Sequence, residues 1–536
     1  MHTGWPVPMG RNTPSSVVVA DLYPDPGLDI IAGSDVLYLW HADATYPIDA
    51  DQSARTSGDF TTRGSYYAAG PSVGDLNHDG TMEIVAPSWD SLKVYVFEPD
   101  GTIPPGWPAN IGQSCFSSAA LGDLDNSGNL EMVMGSNGSS VYALRPNGTE
   151  WMDGDNNPAT FGVFKTLGQP YNYGTPALGD LDRDGFLDIV YGSFDGNLYA
   201  WHADGTSLPG FPFYLGGAIT CSPALGDIDN NGYLEIVCVS AKDSLWVIQA
   251  DGKRYPGWPK RFIASGSTRQ PSPALADMDG DGYLDIVAAS TDGTIKVFDR
   301  FGNILPGWSN VRYSLYTSGA SESSPVVADI NGDGIPDVVM GGEDSRIHLF
   351  SGTGAELAGS PIQLSGEVRG TPTLCDCDGD GQAEIVLAGW DKNLYVWDYP
   401  GQFSPGHIPP WPTFHHDERR TGLKSATVLV GVQPSAPAAP ARPVELARPR
   451  PNPATASTRF SYTVSAQNAG ADLDFAIYDL AGRCVHTLAQ GKAHAGQFEA
   501  QWDLRGREGQ RVQAGIYFAR LRVGHFQDSR KIVVIH

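Results

Sequence analysis

The residues best placed to do chemistry are carboxylates and amides that return eight times at positions 1, 3, 5 and 9 of a short loop. The fullest copy is Asp180-Leu-Asp182-Arg-Asp184-Gly185-Phe-Leu-Asp188. Oxygen donors at this spacing, on a loop that turns sharply at a sixth-position glycine, suit a hard, oxygen-seeking cation, and calcium is the one expected. The other copies are Asp21, Asp25 and Asp29; Asp75, Asn77, Asp79 and Glu83; Asp123, Asp125, Ser127 and Glu131; Asp227, Asp229, Asn231 and Glu235; Asp277, Asp279, Asp281 and Asp285; Asp329, Asn331, Asp333 and Asp337; and Asp376, Asp378, Asp380 and Glu384. Up to eight calcium sites are expected. The first has Tyr23 at position 3 and Pro26 at position 6, and the third has Ser127 at position 5. These two should be the weakest, because each lacks a carboxylate or the turn geometry.

The charge balance supports the same reading. Of the 61 acidic residues, 27 lie in the eight loops, and the remaining 34 nearly match the 35 Lys plus Arg. The formal charge of −26 is therefore a property of the loops. No clustered basic face is present, which argues against nucleic acid as a partner. Six cysteines show no framework spacing and read as small buried thiols, including Cys375 and Cys377 on either side of Asp376. No apolar run approaches the ~20 residues of a membrane span. Met-His-Thr-Gly-Trp-Pro at the start has no signal-peptide features, and its Gly4-Trp5-Pro6 matches Gly106-Trp107-Pro108 and Gly257-Trp258-Pro259 inside the chain. The true start, with any export signal, is expected upstream.

The loops begin 54, 48, 57, 47, 50, 52 and 47 residues apart, so the elements that position them must repeat with a period of one supersecondary unit. Residues 174–212 show the unit. A short apolar run enters the acidic loop, and Asp188-Ile-Val-Tyr-Gly192 leaves it. After Asp195-Gly196, a tight-turn pair, Asn197-Leu-Tyr-Ala-Trp-His202 alternates as a third strand. Leu208-Pro-Gly-Phe-Pro212 then opens a fourth, outer segment where proline is tolerated. The third strand recurs in eight copies, from Val36-Leu-Tyr-Leu-Trp40 to Leu394-Tyr-Val-Trp397. Four short antiparallel strands per repeat predict an all-β fold, a β-propeller of eight blades, in which the third-strand aromatics wedge between neighbours. Counting Trp411-Pro412, nine Trp-Pro-like elements serve eight loops. The surplus one at Gly4 either closes the ring or belongs to a missing repeat, and a seven-bladed ring remains an alternative.

The pattern Gly/Ala-Asp-Leu-Asp-x-Asp-Gly-x-x-Asp/Glu-Ile-Val over residues 1–424 resembles the FG-GAP/VCBS repeat family. The same calcium loops occur in the propeller of integrin α chains, so the resemblance implies a calcium-binding propeller.

Residues 425–443 are rich in Pro and Ala and read as an extended linker. Just before them, His415, His416 and Asp417 could suggest a metal site, but adjacent strand residues face opposite ways, and a structural role is expected. Residues 444–536 alternate as the strands of a second small β-sandwich: 458–464, 473–478, 497–502, 515–521 and 530–535. Pro451-Asn-Pro453, Ile477-Tyr-Asp-Leu-Ala-Gly-Arg483, Trp502-Asp503, Gly515-Ile-Tyr517 and Lys531-Ile-Val-Val534 make this tail similar to the FlgD-type immunoglobulin-like domain, and equally to the C-terminal sorting domain of the type IX secretion pathway. That resemblance implies export across a bacterial outer membrane and surface anchoring, with the secretion machinery as partner.

Three functions are open. The preferred one is a secreted or cell-surface adhesion module for a glycan or protein ligand. The second is a polysaccharide lyase, since some eight-bladed calcium propellers that resemble this one act on rhamnogalacturonan. The third is a quinoprotein-like dehydrogenase, whose adjacent cysteine pair is missing here. No His, Arg, Lys or Tyr constellation departs from the repeat, so no catalytic residue is assigned. The irregular inserts 49–70 and 151–173, carrying Arg55, Arg63, Tyr66, Tyr67, Lys165, Tyr171 and Tyr173, are the expected binding surface.

Overall fold

The computed structural model describes residues 1–24, 27–50, 58–157, 160–171, 173–242, 244–261, 270–314, 322–402, 410–424, 444–446, 457–464, 471–479, 483–493, 496–502, 504–506, 510–523 and 526–535. The chain divides into two compact units, Met1–Leu429 and Val430–His536, and the division falls within the stretch read as a linker.

In the first unit, the described residues form eight small antiparallel sheets, one per acidic loop. Their inner strands, which number the blades 1 to 8, are Val18–Ala20, Ser72–Gly74, Ala120–Gly122, Ala177–Gly179, Ala224–Gly226, Ala274–Ala276, Val326–Ala328 and Thr373–Cys375. Blade 4 continues through Asp188–Gly192, Asn197–Trp201 and Phe213–Tyr214, as the repeat predicts. Each acidic loop joins an inner strand to the second strand. Blade 6 keeps three strands, and the single bridge Thr294–Arg312 stands where its fourth would run.

The seven-bladed alternative falls. The last blade takes its outer strand from the other end of the propeller, where Val7–Pro8 pairs antiparallel with Asn393–Gln402 in the register Val7 to Leu394. Gly4-Trp5-Pro6 is thus the start of blade 8's outer strand. The recurring tryptophan of this motif also has a mechanical role. Trp5 Nε1 donates to Ala42 O at 2.9 Å, Trp107 to Pro146 O, Trp258 to Arg300 O and Trp308 to Gly352 O, each acceptor lying just beyond the third strand of the next blade. A buried indole N–H needs an acceptor, and here that acceptor ties one blade to its neighbour.

Trp411-Pro412, counted in the sequence as a ninth element of that kind, belongs to something else. Residues 411–424 run along the propeller axis. Their carbonyls accept from the middle residue of six inner strands: Trp411 O from Val327, Pro412 O from Leu374, Glu418 O from Val73, Arg419 O from Leu121, Thr421 O from Leu178 and Gly422 O from Leu225, all at 2.7–2.9 Å. Leu423–Lys424 then pairs in parallel with Ala224–Gly226. Arg420 is fully buried in the midst and donates to Val17 O (3.0 Å), Ser16 O, Pro71 O, Phe414 O (2.6 Å) and Thr413 Oγ1. Burial lowers its pKa to about 10, opposed by Asp417 and Glu418, so it is charged at neutral pH. His415 and His416 have positive φ of 57° and 79°, so they occupy a turn, not the strand assumed for them. His415 reaches Pro223 O and Arg420 O, and its role is structural.

A second belt runs around the axis two residues before each inner strand. The N–H of Ser118 donates to Thr175 Oγ1, Thr175 to Ser222, Ser222 to Ser272, Ser272 to Ser324, Ser324 to Thr371 and Thr371 to Ser16, at 2.8–3.3 Å. The eighth place is held by Gly70.

The aromatic wedges are as expected. Trp201 of blade 4 stacks on Tyr199 at 5.0 Å and meets Phe164 of blade 3 edge-on at 5.8 Å.

The second unit has two sheets. One orders Val444–Leu446, Thr458–Val464 and Gly496–Trp502; the other orders Cys484–Lys492, Asp472–Asp479, Gly515–Val523 and Phe526–Val534. Trp502, Phe475, Ile477 and Leu521 are fully buried between them. The strand Cys484–Lys492 escaped the sequence reading because its side chains are mostly half-exposed and carry no clean alternation. Pro451, Pro453 and Asp503 lie outside the described residues. No helix among the described residues is long and apolar enough to cross a membrane.

Trp201→Ala should open a cavity between blades 3 and 4 at a cost of about 3–5 kcal/mol. Arg420→Ala removes the donors facing five axial acceptors and should cost about 3 kcal/mol or more. Urea unfolding followed by tryptophan fluorescence reads both, and an unchanged midpoint for Arg420→Ala would show that the axial segment does not hold the ring.

Candidate metal centres

The loops are built by their own backbone before any ion is considered. The ninth-position carboxylate is buried and accepts the N–H of position 2 in every loop, from Leu22 to Asp29 through Leu181 to Asp188 (2.9 Å) to Cys377 to Glu384. The third-position oxygen accepts the N–H of position 5 in loops 2 to 8, from Asn77, Asp125, Asp182, Asp229, Asp279, Asn331 and Asp378. The fifth-position oxygen likewise accepts the N–H of position 7, including Ser127, so the third loop keeps its shape without the carboxylate. These are Asx turns, which hold short side chains against their own backbone. Gly185 at φ 93° shows why position 6 favours glycine, because an L side chain there is strained.

The first-position carboxylate takes the N–H donors of positions 5 and 6 in loops 2, 3, 5, 6 and 7, and in loops 6 and 7 that of position 4 as well. In loops 4 and 8 it takes the N–H of position 6 on Oδ2, while Oδ1 of Asp180 and of Asp376 is buried and has no well-aligned hydrogen bond among the described residues, although the Arg183 N–H still favours the charged form of Asp180. A buried anionic oxygen without a donor needs a cation. The ligand atoms of Asp180, Asp182 and Asp184, of Asp75, Asp79 and Glu83, and of Asp123, Asp125 and Glu131 lie within 4.8 Å of one another in each group. The residues present fit a hard cation held by oxygen. In loop 1, Asp21 and Asp29 are described, Asp25 and Pro26 lie outside the described residues, and the positive-φ glycine, Gly27, comes one place late.

Two histidines were not anticipated. His202 Nδ1 lies 3.0 Å from Asp188 Oδ1, and His41 Nδ1 lies 2.7 Å from Asp29 Oδ1. His41 ends the third strand of blade 1 and His202 directly follows that of blade 4, and the shared Trp-His-Ala-Asp sequence there is the available signal. The six cysteines also need correction. Cys375 and Cys377, with Cα atoms 5.2 Å apart, form a disulfide, because alternate residues of an extended stretch point the same way. Cys115, Cys221 and Cys238 are buried thiols as expected. Of the insert residues, Tyr66 is buried and Lys165 lies over Phe164 at 5.6 Å, while Tyr67, Tyr171 and Tyr173 keep exposed surface. Arg55 lies outside the described residues.

Burial, and secondarily the neighbouring carboxylates, pushes the ninth-position groups up: Asp188 to about 6, Glu83, Glu131, Asp285 and Asp337 to about 7, Glu235 and Glu384 to about 8. Without a cation, the folded chain keeps protons on these groups that the unfolded chain has released above the ordinary carboxylate range. Its stability should therefore fall as pH rises through the window from ordinary carboxylate values to about 8. In cation-stripped buffer the melting temperature should be lower at pH 8 than at pH 6, and Glu235→Gln should flatten the slope; a flat profile for the unmodified chain would contradict the buried-acid geometry.

Known proteins supply the frame for these loops. Residues 75–134, 180–238, 227–288 and 277–340 match an FG-GAP-like repeat, each match opening on a first-position aspartate and running through the following loop. Residues 452–522 match a FlgD Ig-like domain. No curated protein matches the chain. Among solved structures, the crystal structure of the V. cholerae biofilm matrix protein Bap1 is similar in fold, with a TM-score of 0.50 and 13% identity over 74% of this chain and 89% of that one. With eight blades, eight acidic loops and a separate sandwich, the chain carries FG-GAP-like repeats folded as a β-propeller, followed by a FlgD Ig-like domain.

Proposed function

We propose that the chain is an extracellular adhesion module whose propeller binds calcium in its acidic loops and holds a glycan or protein ligand. The observation that carries the calcium assignment is the buried Oδ1 of Asp180 and of Asp376, without a well-aligned hydrogen bond among the described residues, inside loops whose remaining oxygens are already oriented by the backbone. FG-GAP-like repeats and the fold likeness to a biofilm matrix protein support the adhesive role. The FlgD Ig-like domain, by its resemblance to sorting domains, serves export and surface attachment in this reading.

Calcium bound only by the folded state adds RT ln(1 + [L]/Kd), roughly 2.7 kcal/mol per site at a hundredfold excess over Kd. Calcium should therefore raise the melting temperature of stripped protein. Asp184→Ala should lower the bound stoichiometry by one without unfolding the ring. A melting temperature indifferent to calcium would sink the assignment. Beads coated with the protein should be retained on glycan- or protein-coated surfaces and released by a chelator. Release of unsaturated sugars during the same incubation would move the reading to a polysaccharide lyase.

The tail allows a separate check. A chain ending at Lys424 keeps every axial contact described above and should fold and respond to calcium. In a host with type IX secretion it should stay within the envelope, and its normal appearance outside would remove the sorting role.

A further inference from the structure

The acidic loops occupy one end of the inner strands, and the belt of hydroxyls occupies the other. At that other end the described residues leave a cavity of about 100 Å³ on the propeller axis, room for several waters. Phe414 of the axial segment lines it, and around it stand Ser118, Thr175, Ser222, Ser272 and Ser324.

Each of these hydroxyls already accepts a backbone N–H from the preceding blade, except Ser118, the first in the chain of donors. None of them donates to a protein acceptor among the described residues, although all are at least nine-tenths buried. A buried O–H without an acceptor is unfavourable, so a ring of such donors calls for acceptor oxygens in the cavity. Waters would meet that need when no ligand is bound. A ligand displacing them must bring oxygens spaced around a ring.

The wall beside the belt is aromatic. Phe116 and Tyr173 line the cavity and meet edge to face at 4.8 Å. Trp89 packs on Phe116 at 4.4 Å, and Tyr171, 48% exposed, lies beside Tyr173. The arc comes from the connections of blades 2, 3 and 4, which break the eightfold symmetry on one side of the axis. Among the described lining residues no Lys, Arg or His is present, and the one carboxylate, Glu322, lies 3.8 Å from the Arg369 guanidinium. An anionic ligand would find no cationic side chain on the described lining, and a greasy protein anchor would leave the O–H donors unmet.

We propose that this axial dish binds a neutral saccharide, its hydroxyl-bearing edge set against the belt and its C–H face against Phe116 and Tyr173. The proposal rests on the adhesive reading above and gives it a place and a ligand class. Aromatic faces and a few convergent polar groups are the ordinary makings of a small-molecule site.

The test uses full-length protein in calcium on immobilised neutral polysaccharides (β-glucan, mannan and galactan), with polygalacturonate and a gelatin surface as comparators. At least one neutral polysaccharide should retain the unmodified chain. Phe116→Ala combined with Tyr173→Ala should weaken that retention about tenfold or more, equivalent to about 1.4 kcal/mol, with the calcium-induced rise in melting temperature intact. Tyr173→Phe keeps the ring and should stay close to the unmodified protein, as should Tyr214→Ala, an exposed aromatic on the outer strand of blade 4. Undiminished binding by the double variant would overturn the dish while leaving the adhesive reading in place. Retention only on polygalacturonate, or only on gelatin, would overturn the neutral-saccharide assignment. Retention on none of the surfaces would overturn both.

Discussion

Everything in the first unit depends on what happens to the inner edges of the blades. Eight short strands facing a common axis present a circle of backbone N–H and C=O groups that belong to no sheet. Left bare, such edges are either hydrated or open to other chains. Here residues 411–424 meet them, accepting from six of the eight inner strands. Of the two blades that these carbonyls do not reach, blade 1 is served by Arg420, which donates to Val17 O. A guanidinium with a fan of donors suits a point where several carbonyls converge from different directions.

The two ends of the inner strands have diverged from one backbone scaffold. At one end the chain turns through Asx ladders that aim carboxylate oxygens inward, and burial keeps part of their protons in place. At the other end serine and threonine pass hydrogen bonds from blade to blade. Charge accumulates where the loops can hold it, and uncharged donors line the axis. Beside the belt, Trp89, Phe116 and Tyr173 form one aromatic arc on the second face, and Tyr67 with Trp390 forms another contact.

What could be read in the sequence was what repeats. The acidic positions and the third-strand aromatics recur eight times and the Gly-Trp-Pro entries, with variants, five times, and repetition lifts a weak local signal above chance. The axial segment occurs once and has no period, so in sequence Trp411-Pro412 resembles the outer-strand entries, and nothing local marks the turn at His415 and His416. Arg420 gave no sign of its burial, since nothing in its neighbours marks a buried cation. The hydroxyl belt was visible only as Ser/Thr-Pro pairs before the inner strands, and its meaning lies in contacts across about 50 residues. The Cys375–Cys377 link is local, but a spacing of two told less than the geometry of the strand that ends there.

The way the ring closes also bears on when it can form. Blade 8 borrows its outer strand from residues 7 and 8, the N–H of Thr371 reaches Ser16, and Arg420 reaches Val17, about 400 positions earlier in the chain. Contacts this distant carry a large loop-closure entropy and form slowly. During synthesis, blades 1 to 7 can each pair their own strands as they emerge, yet the first blade waits with an uncovered flank until residue 424 is available. The propeller thus passes most of its birth as an open arc, whose first and last blades are joined in a single late event.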